Sequence, residues 1–383
     1  MNPAILCDVV CPAQLDGNPC QARLNLAEDF PPTTASGHPD EILEALLLCP
    51  KCAKRYPILC GVLILLDPLG PYLRRSYAQI DKVTAAHQSF SQPMRRFLFE
   101  EMLKAMERPG RPLFKAWDYA PNERDRQTIS ASIHYSYNLS NGDSRDTPRT
   151  LADHLSQTST NPQKESLGFL SQPNRPTDGK ALEVGCDVGG FVHELARSQR
   201  FVYGIDLSFE RISVARQIVK GLPRPKTTYS YYQEVDVTTE RALQVEPRSN
   251  TEFLVATAEC LPFLDDSFLI VSSFHVSELI CRPFTFFREK IRVLRPSGLF
   301  LYASVDIFKQ DERPEEWAWD DPVKRPLEAL KSHLSTALKI LHEEDGVPWI
   351  KRYTHRSFEV YFSHCLWAEK RPSFQCTEKG MRR

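Results

Sequence analysis

The sequence is poor in glycine and carries almost no net charge. Its 383 residues include 16 glycines against 29 prolines, and the formal net charge is -1 at pH 7. A field of one sign is what draws a protein toward a polyanion, so the charge balance does not favour nucleic acid as a partner. The excess of proline over glycine predicts long irregular connections around a compact core.

Long apolar segments and a recognisable leader are also lacking. The longest apolar run covers residues 58–66, which is far too short to cross a bilayer. The first residues show no basic stretch followed by an apolar one, so they do not resemble a signal peptide. These absences predict a cytoplasmic protein with no membrane partner. Its 11 cysteines are then expected to be thiols or metal ligands rather than disulfides.

What the chain does contain is a dense group of cysteines near its start. Six of the 11 cysteines fall there: Cys7, Cys11, Cys20, Cys49, Cys52 and Cys60. Cys49 and Cys52 enclose two residues, a knuckle from which two thiolates reach one ion. Cys11 and Cys20 supply a second pair on a longer loop. Four thiolates in tetrahedral geometry select zinc, so these two pairs are the predicted ligands of a structural zinc ion.

The N-terminal region, residues 1–68, resembles the small zinc-ribbon domain that activates tRNA, rRNA and release-factor methyltransferases and is also fused to bacterial methyltransferases. The resemblance is carried by Cys11-Pro12, Cys49-Pro50-Lys51-Cys52, and Arg55-Tyr56-Pro57-Ile58 followed by Gly61. It implies a small β module that holds zinc and offers a surface to a protein partner. The first knuckle is longer than in the family, which leaves Cys7 as a substitute ligand. The alternative is a ribbon of buried cysteines that has lost its metal.

Residues 69–179 are predicted to form a helical segment followed by a linker or lid. Apolar residues at helical spacing between residues 71 and 106 predict helix that packs on the core. From residue 109 onward the chain is polar, except for the aromatic island at residues 133–137. The island is either an anchor of a linker or part of a lid over a substrate pocket. In the second interpretation His134 and Tyr135 contact the substrate.

The stretch from residue 180 to 208 reads KALEVGCDVGGFVHELARSQRFVYGIDLS. Its pattern is strand, glycine-containing turn, amphipathic helix, second strand and acidic residue, which is one βαβ unit of a nucleotide-binding sheet. Bare backbone N–H groups at such a turn suit a carboxylate or phosphate. Asp206, at the tip of the second strand, suits a ribose diol. The unit therefore predicts a cofactor that contains adenosine.

Asp187 narrows the choice of cofactor. A dinucleotide fingerprint needs glycine at positions 185, 187 and 190, where the backbone approaches the pyrophosphate. Position 187 is an aspartate in this chain, and its carboxylate would repel the pyrophosphate. The sequence also has no G-x-x-x-x-G-K-[ST] pattern, which excludes a P-loop.

The run from residue 180 to 369 instead resembles the class I S-adenosylmethionine-dependent methyltransferases of the methyltransferase type 11 kind. Four motifs carry the resemblance, in order: Glu183-x-Gly185-Cys186-x-x-Gly189, Asp206 in YGIDLS, Ala258-Glu259-x-Leu261-Pro262-Phe263 with Asp266-x-Phe268, and Val293-Leu294-Arg295-Pro296-Ser297-Gly298. The resemblance implies an α/β fold over residues 180–371, with a Rossmann-like sheet of seven strands and helices on both faces. Residues 372–383 are predicted to form a loose tail.

The resemblance also implies a cofactor site for S-adenosylmethionine. Its residues would be Glu183, Gly185, Cys186, Gly189, Asp206, Leu207, Thr257, Ala258, Glu259 and His275. Asp206 is expected on the ribose and Glu183 near the ammonium of the methionine part. His275 is expected to touch the methionine part, orient the substrate or act as a base, with a purely structural strand-end histidine as the alternative.

Two positions depart from the family pattern. Asp187 replaces a glycine, and Thr257 replaces the aspartate that normally receives the adenine amino group. These departures keep a second hypothesis open. In it, the chain is a catalytically degenerate scaffold that binds the cofactor, while its ribbon binds a partner protein.

The C-terminal part resembles the methyltransferase domain associated with ovothiol biosynthesis, which methylates a thiol-bearing histidine on nitrogen. Pro314 with Trp317, Val347-Pro348-Trp349, and the pair Arg352 and Arg356 carry this looser resemblance. Trp317, Trp349, Arg352 and Arg356 are accordingly predicted on the substrate side. An arginine pair can clamp a carboxylate in bidentate fashion. Arginines on the surface of a closing hairpin are the alternative.

The sequence as a whole predicts an enzyme that transfers a methyl group to N, O or S of a small amino-acid-like metabolite or peptide. An RNA or protein methyltransferase is the alternative suggested by the usual partners of the ribbon. The near-neutral charge argues against RNA. Residues 273–276 read Ser-Phe-His-Val rather than N-P-P-Y, which argues against methylation of adenine N6 or glutamine.

Overall fold

A computed structural model describes most of the chain. The described residues are 1–15, 18–85, 90–107, 161–222, 226–234, 237–243, 245–280, 282–305, 326–352 and 358–372.

Short strands fill the N-terminal region as far as Leu65. They are β1 (Gln14–Leu15), β2 (Asn18–Pro19), β3 (Asn25–Leu26), β4 (Thr33–Ala35), β5 (His38–Leu48), β6 (Arg55–Leu59) and β7 (Val62–Leu65). Strands β3, β4 and β6 all pair antiparallel with β5, and β7 pairs antiparallel with β6. The residues that flank the cysteines predict ribbon strands at 22–26 and 56–66. In the structure β3 covers only residues 25–26 of the first, and the second is divided between β6 and β7. The long strand β5 was not predicted, because it opens with His-Pro-Asp-Glu and only its second half is mainly apolar.

Three helices lie in the described part of residues 69–179. Helix α1 spans Leu69–Ala85, α2 spans Gln92–Glu107, and a third helix, α3, spans Pro162–Leu170. The second helix begins where its own sequence signals a start. The Ser91 hydroxyl accepts a hydrogen bond from the Met94 amide at 3.3 Å, and Pro93 stands in the first turn.

The remaining elements alternate in the α/β manner that the sequence predicts. They are β8 (Lys180–Val184), α4 (Gly190–Leu195), β9 (Phe201–Asp206), α5 (Phe209–Ala215) with a π-helical turn (Arg216–Lys220), β10 (Thr228–Glu234), β11 (Val237–Ala242), β12 (Thr251–Ala256), β13 (Phe268–Phe274), α6 (Pro283–Val293), β14 (Leu294–Ser304), α7 (Pro326–Ser335), β15 (Leu338–Arg352) and β16 (Phe358–Lys370). Strands β10 and β11 form a separate hairpin. Single 3₁₀ turns occur at Pro3–Cys7 and Ser277–Leu279.

Seven strands form the predicted sheet in the order β12-β9-β8-β13-β14-β16-β15. The first five run parallel, and β16 is antiparallel to both of its neighbours. The closing pair differs from the sequence prediction in one respect. The amphipathic pattern of residues 325–341 predicts a single helix, but α7 ends at Ser335 and β15 begins at Leu338. A strand that alternates polar and apolar residues next to a helix leaves such a boundary poorly marked in sequence.

The N-terminal strands form the small β module that the sequence predicts, and they also join this sheet. Strand β7 pairs parallel with β12, with Leu63, Ile64 and Leu65 opposite Leu254, Val255 and Ala256. All four residues of β7 are buried, as expected of a parallel strand covered on both faces. The sheet therefore continues from β12 through β7, β6 and β5 to β3, with 12 strands in total among the described residues.

Charged side chains are buried at this junction. Arg216, in the π-helical turn, pairs with Glu41 of β5 and with Glu252 of β12, and its side chain is 1% exposed. Lys220 donates to Glu252 at 2.8 Å. The network ties the N-terminal strands to the sheet through charge as well as through strand pairing.

Candidate cofactor and metal sites

The predicted cofactor residues meet at one edge of the sheet. The parallel strands β8, β9, β12 and β13 all end there, and each is followed by residues that the sequence assigns to the cofactor. In sheets of this kind, ligands bind in the crevice outside the carboxyl ends of the strands. The fold therefore brings together segments that lie far apart in sequence.

The turn after β8 depends on two glycines. Gly185 has a φ of +79°, and a Cβ at this position would lie 2.2 Å from Cγ2 of Val276. Gly189, with a φ of +82°, precedes α4 and would place a Cβ 2.8 Å from the ring of Phe253. Both positions need left-handed backbone and close approach, which only glycine supplies without strain. Cys186, between them, is fully buried.

Asp187 also has left-handed backbone, with a φ of +49°. Aspartate tolerates this region better than most residues, which explains how it stands where the family has glycine. Its amide donates to Oδ2 of Asp206 at 3.2 Å, and its own Oδ2 lies 3.4 Å from Nη1 of Arg211. The carboxylate is therefore engaged by a guanidinium that enters from α5.

Three carboxyl groups, those of Glu183, Asp187 and Asp206, lie at this turn. Burial raises the pKa of Glu183 well above its usual range, and the charges of Asp187 and Asp206 raise it further. Burial likewise raises the pKa of Asp206, while Arg211 opposes the rise. Oε2 of Glu183 is buried without a hydrogen-bond partner in the described part of the chain. Such a site repels a pyrophosphate and suits an ammonium group.

The predicted adenine side is a tight loop after β12. The Thr257 hydroxyl accepts from the Glu259 amide at 3.2 Å, and the Ala258 carbonyl accepts from Nζ of Lys290 at 3.0 Å. The Glu259 carboxylate accepts from the amide of Arg282 at 2.8 Å. Glu259 is thus occupied in holding the segment after β13.

Leu207 follows Asp206, and its carbonyl accepts a hydrogen bond at 2.9 Å from the hydroxyl of Tyr72. Tyr72 belongs to α1, so the helical segment before the sheet reaches the cofactor edge. Sequence reasoning did not single out Tyr72. Its position among helically spaced apolar residues indicated only a core-packing helix.

His275 lies immediately after β13 in a closely packed setting. Its φ is +55°, its Nε2 lies 2.8 Å from the Ser363 hydroxyl, and its ring stacks on Trp349 at 3.6 Å between centroids. Burial, assisted by the charge of Lys351, lowers the pKa of His275 to about 3. The imidazole is therefore neutral at physiological pH and is a weak base. This geometry suits orientation of a neighbouring group better than proton removal.

The structure brings only some of the predicted substrate-side residues to this edge. Trp349 is in place against His275. Arg352 ends β15. The remaining predictions, His134, Tyr135, Trp317 and Arg356, lie outside the described residues. Three residues that were not predicted from the sequence lie beside Trp349 or His275: Lys351, Tyr361 and Ser363. The alternation of β16 was visible in sequence, but its register against β15 was not.

The four predicted zinc ligands converge. The sulfurs of Cys11, Cys20, Cys49 and Cys52 all lie within 4.8 Å of one another. The Cys11–Cys52 and Cys20–Cys49 sulfurs are 3.5 and 3.6 Å apart. Tetrahedral ligands about 2.3 Å from zinc would be separated by roughly 3.8 Å, so the set fits this ion.

Burial raises the pKa of Cys11 and Cys52, whereas local hydrogen bonds favour the thiolate form of Cys49. Burial would raise the pKa of Cys49, but the amides of Cys52 and Lys51 outweigh it, and the pKa is lowered. Cys7 lies outside the cluster, where its thiol donates to the Ala4 carbonyl at 2.9 Å. The substitution of Cys7 for another ligand is therefore not seen.

The segment around Cys11, called the cysteine loop below, contacts the adenine-side loop that follows β12. The amide of Val10 donates to the Pro262 carbonyl at 2.9 Å, and the Cys260 thiol donates to the Pro12 carbonyl at 3.2 Å. Val9 forms an isolated bridge with Phe263. The cysteine cluster and the predicted cofactor edge are therefore joined by short-range hydrogen bonds.

Comparison with protein families matches the central part of the chain to a known domain. Residues 182–302 match the profile described as a methyltransferase domain. The chain contains a methyltransferase domain. This domain profile spans the strands β8 to β14, which carry the glycine turn and the carboxyl edge.

Solved structures similar to this chain cover about half of it. They include the YcgJ protein from Bacillus subtilis, with 20% identity over 54% of this chain and 98% of that chain at a TM-score of 0.37. An S-adenosylmethionine-dependent methyltransferase from Methanosarcina mazei has 18% identity over 51% and 94%, at 0.34. The PH0226 protein from Pyrococcus horikoshii has 20% identity over 58% and 92%, at 0.37. TM-scores in this range do not bear on the activity of the chain.

No curated protein sequence matches the chain. Among the described residues, no helix combines the length and apolar character that a bilayer span requires.

Proposed function

We propose that the chain is an S-adenosylmethionine-dependent methyltransferase that acts on N, O or S of a small amino-acid-like molecule or peptide. The observation that carries the proposal is the acidic glycine turn inside the methyltransferase domain. The turn holds a buried oxygen of Glu183 that has no partner among the described residues. An adenosine cofactor with an ammonium group satisfies that oxygen, whereas a dinucleotide does not.

Different residues at the edge would contact different parts of the cofactor. Asp206 would accept hydrogen bonds from the ribose hydroxyls, and Glu183 would receive the ammonium directly or through water. Gly185, Cys186 and Gly189 would let the backbone approach the methionine part. Leu207, Thr257 and Ala258 would border the adenine, with Glu259 holding the loop in place. When bound, the cofactor supplies a methyl group on a positively charged sulfur, which is already electrophilic.

The protein's own task is then alignment and exclusion of water. His275, held by Ser363 and Trp349, would orient the acceptor or the methionine part as a neutral ring. The contacts of His275 with Trp349 of β15 and Ser363 of β16 restrict the space beside it, which supports a small acceptor. Trp317, Trp349, Arg352, Arg356, His134 and Tyr135 remain predictions for the substrate side.

A structural zinc ion in the Cys11, Cys20, Cys49 and Cys52 cluster completes the proposal. The strand β7, which belongs to the ribbon-like region, pairs with β12 of the same chain. This pairing supports a role in cis, in which the ribbon stabilises its own methyltransferase domain. A separate protein partner would have to use another surface of the ribbon.

Calorimetry with S-adenosylhomocysteine tests the proposal. The wild-type protein should bind it, and Asp206→Asn should bind about 10- to 100-fold more weakly, because a hydrogen bond to a charged group is worth roughly 1.5–3 kcal/mol. Asp178→Asn is the matched control, since Asp178 is exposed and pairs with Arg200 at the opposite end of β8. Lack of wild-type binding at millimolar ligand would refute the cofactor. Equal binding by Asp206→Asn would refute the site.

A further inference from the structure

A lysine ammonium lies over two neighbouring aromatic rings at the cofactor edge. Nζ of Lys351 is 4.0 Å from the ring centroid of Trp349 and 5.0 Å from that of Tyr361. Trp349 and Tyr361 are register partners on β15 and β16, and their centroids are 5.5 Å apart. A cation within about 6 Å of a ring face is attracted by the quadrupole of the ring.

His275 adds a third ring to this arrangement. It stacks on Trp349 with an interplanar angle of 3°, so it covers one face of the indole and leaves the other face to Lys351. The rings of His275, Trp349 and Tyr361 are called the aromatic cage below. Since His275 directly follows β13, the cage stands at the edge where the cofactor residues meet.

The charges around the cage also favour a cation. Burial is the largest influence on Lys351 and lowers its pKa, while the carboxylates of Glu359, Asp187 and Glu278 oppose this, and Arg211 adds to it. Three carboxylates thus act on one ammonium. Asp187 and Arg211 belong to the cofactor turn and to α5, so the ammonium lies within electrostatic reach of the proposed cofactor site.

The Lys351 ammonium is well suited to being displaced by a cationic ligand. It is carried on a flexible four-carbon stem, and partial burial costs it hydration that it would regain in water. A ligand with its own cationic group would keep the ring and carboxylate interactions. A neutral ligand of the same shape would lose them.

We propose that the aromatic cage binds an ammonium group of the methyl acceptor, which enters in place of the Lys351 ammonium. The inference rests on the proposed function and narrows its substrate to small molecules that carry such a group. Lys351 then acts as a resident ion that occupies the cage until the acceptor arrives.

The test compares choline with its neutral isostere, 3,3-dimethylbutan-1-ol, as calorimetric ligands in the presence of saturating S-adenosylhomocysteine. Lys351→Ala should bind choline at least tenfold more tightly than the wild type, because the internal competitor is gone. The neutral isostere should gain less than threefold. Adding Trp349→Leu to Lys351→Ala should remove most of the choline affinity, since the largest ring face is lost.

A second measurement uses the wild-type protein and needs no variant to fold. Choline should expel the Lys351 amine into water and raise its rate of modification by trinitrobenzenesulfonate several-fold, as followed by peptide mass spectrometry. The neutral isostere should leave the rate unchanged. An unchanged rate with choline at saturation would contradict the exchange.

Other outcomes overturn the inference in distinguishable ways. An equal gain in affinity for choline and for the isostere would show that the aromatic cage selects ligands by shape and not by charge. Choline binding that S-adenosylmethionine abolishes but S-adenosylhomocysteine permits would assign the cage to the sulfonium of the cofactor. Failure of S-adenosylhomocysteine to bind the wild type would count against the proposed function itself, whereas its binding without a preference for choline would count against the cage alone.

Discussion

Asp187 and His275, at the cofactor edge, both have left-handed backbone although neither is glycine. Asp187 departs from the family glycine, and the sequence offers no reason for its tolerance. The structure supplies two, a left-handed backbone that aspartate can adopt and a guanidinium partner in Arg211. His275 was predicted at the edge from its strand-end position. Its stacking on Trp349 could not be predicted, because it depends on the register of strands much further along the chain.

The buried neutrality of His275 predicts a pH effect on stability. Its pKa is about 3 in the folded protein, below the ordinary value of 6.5. Between these values the unfolded chain binds a proton that the folded chain does not, so stability falls as the pH drops below 6.5. His275→Asn keeps a residue that tolerates positive φ but does not titrate. Its loss of stability on acidification should be shallower than that of the wild type by up to about 1.4 kcal/mol per pH unit.

Urea unfolding at pH 6.5, 5.5 and 4.5 measures this difference. Acid effects on the other groups are shared by both proteins and cancel in the comparison. Parallel stability profiles for wild type and His275→Asn would show that the imidazole is not held neutral.

Elements of the sheet were predicted best where a motif marked both ends. The unit of β8, α4 and β9 lies where the glycine turn and Asp206 placed it. Strand β5 and the first half of β15 were missed, because polar residues at one end of each strand conceal the period of two. Local pattern therefore located the βαβ unit, while the longer strands became evident only from their pairing.

The turn after β8 predicts a large cost for Gly185→Ala. Its backbone is left-handed, and the added Cβ would lie 2.2 Å from Val276. Strain in φ costs about 1–2 kcal/mol and overpacking about 1–3 kcal/mol, so the free energy of unfolding should fall by roughly 2–5 kcal/mol. Gly346→Ala is the matched control, since it has a φ of +75° and nothing within 4 Å of the added Cβ.

Chemical denaturation of both variants separates the two contributions. Gly346→Ala should show the φ cost alone. Adding Val276→Ala to Gly185→Ala should restore part of the loss, because it removes the clashing methyl. Equal destabilisation by the two glycine substitutions would mean that Val276 yields freely and the close approach is unimportant.

At the scale of the whole molecule, the pairing of the N-terminal strands with the sheet of the methyltransferase domain is the feature that the sequence could least predict. The apolar run of β7 indicated a strand buried on both faces, but its parallel partner, β12, comes after the glycine turn, near the middle of the methyltransferase domain. The charges that accompany this pairing were equally hidden. Arg216, Glu41 and Glu252 stand in three separate elements and meet only in the folded protein.

This network predicts that Arg216→Met is strongly destabilising. Removal of the guanidinium leaves Glu41 and Glu252 buried without their main counter-ion, which typically costs about 3–5 kcal/mol. Burial alone would raise the pKa of Glu252, yet Arg216 and Lys220 hold it below its ordinary value. Arg96→Met is the control, because Arg96 pairs with Glu100 on the surface of α2 and should change stability by less than about 0.5 kcal/mol. Thermal and urea unfolding of the two variants decide whether the junction supports the fold.

The cysteine cluster is predicted to communicate with the cofactor edge. The purified protein should contain about one zinc ion per chain, and Cys49→Ser should lower this content. Because Val10 and Pro12 of the cysteine loop hold Pro262 and Cys260, loss of metal should loosen the adenine-side loop. The loss of one or two such hydrogen bonds should weaken S-adenosylhomocysteine binding roughly tenfold and lower the melting temperature.

Cys7→Ser is the control for this communication, since Cys7 lies outside the cluster and contacts its own helical turn and Asp8. Its zinc content, melting temperature and cofactor affinity should match those of the wild type. If chelation lowers the melting temperature but leaves cofactor affinity intact, the ribbon supports the fold without acting on the site. A fall in both the melting temperature and the cofactor affinity would show that loss of the metal affects the cofactor edge through the cysteine loop and the paired strands β7 and β12.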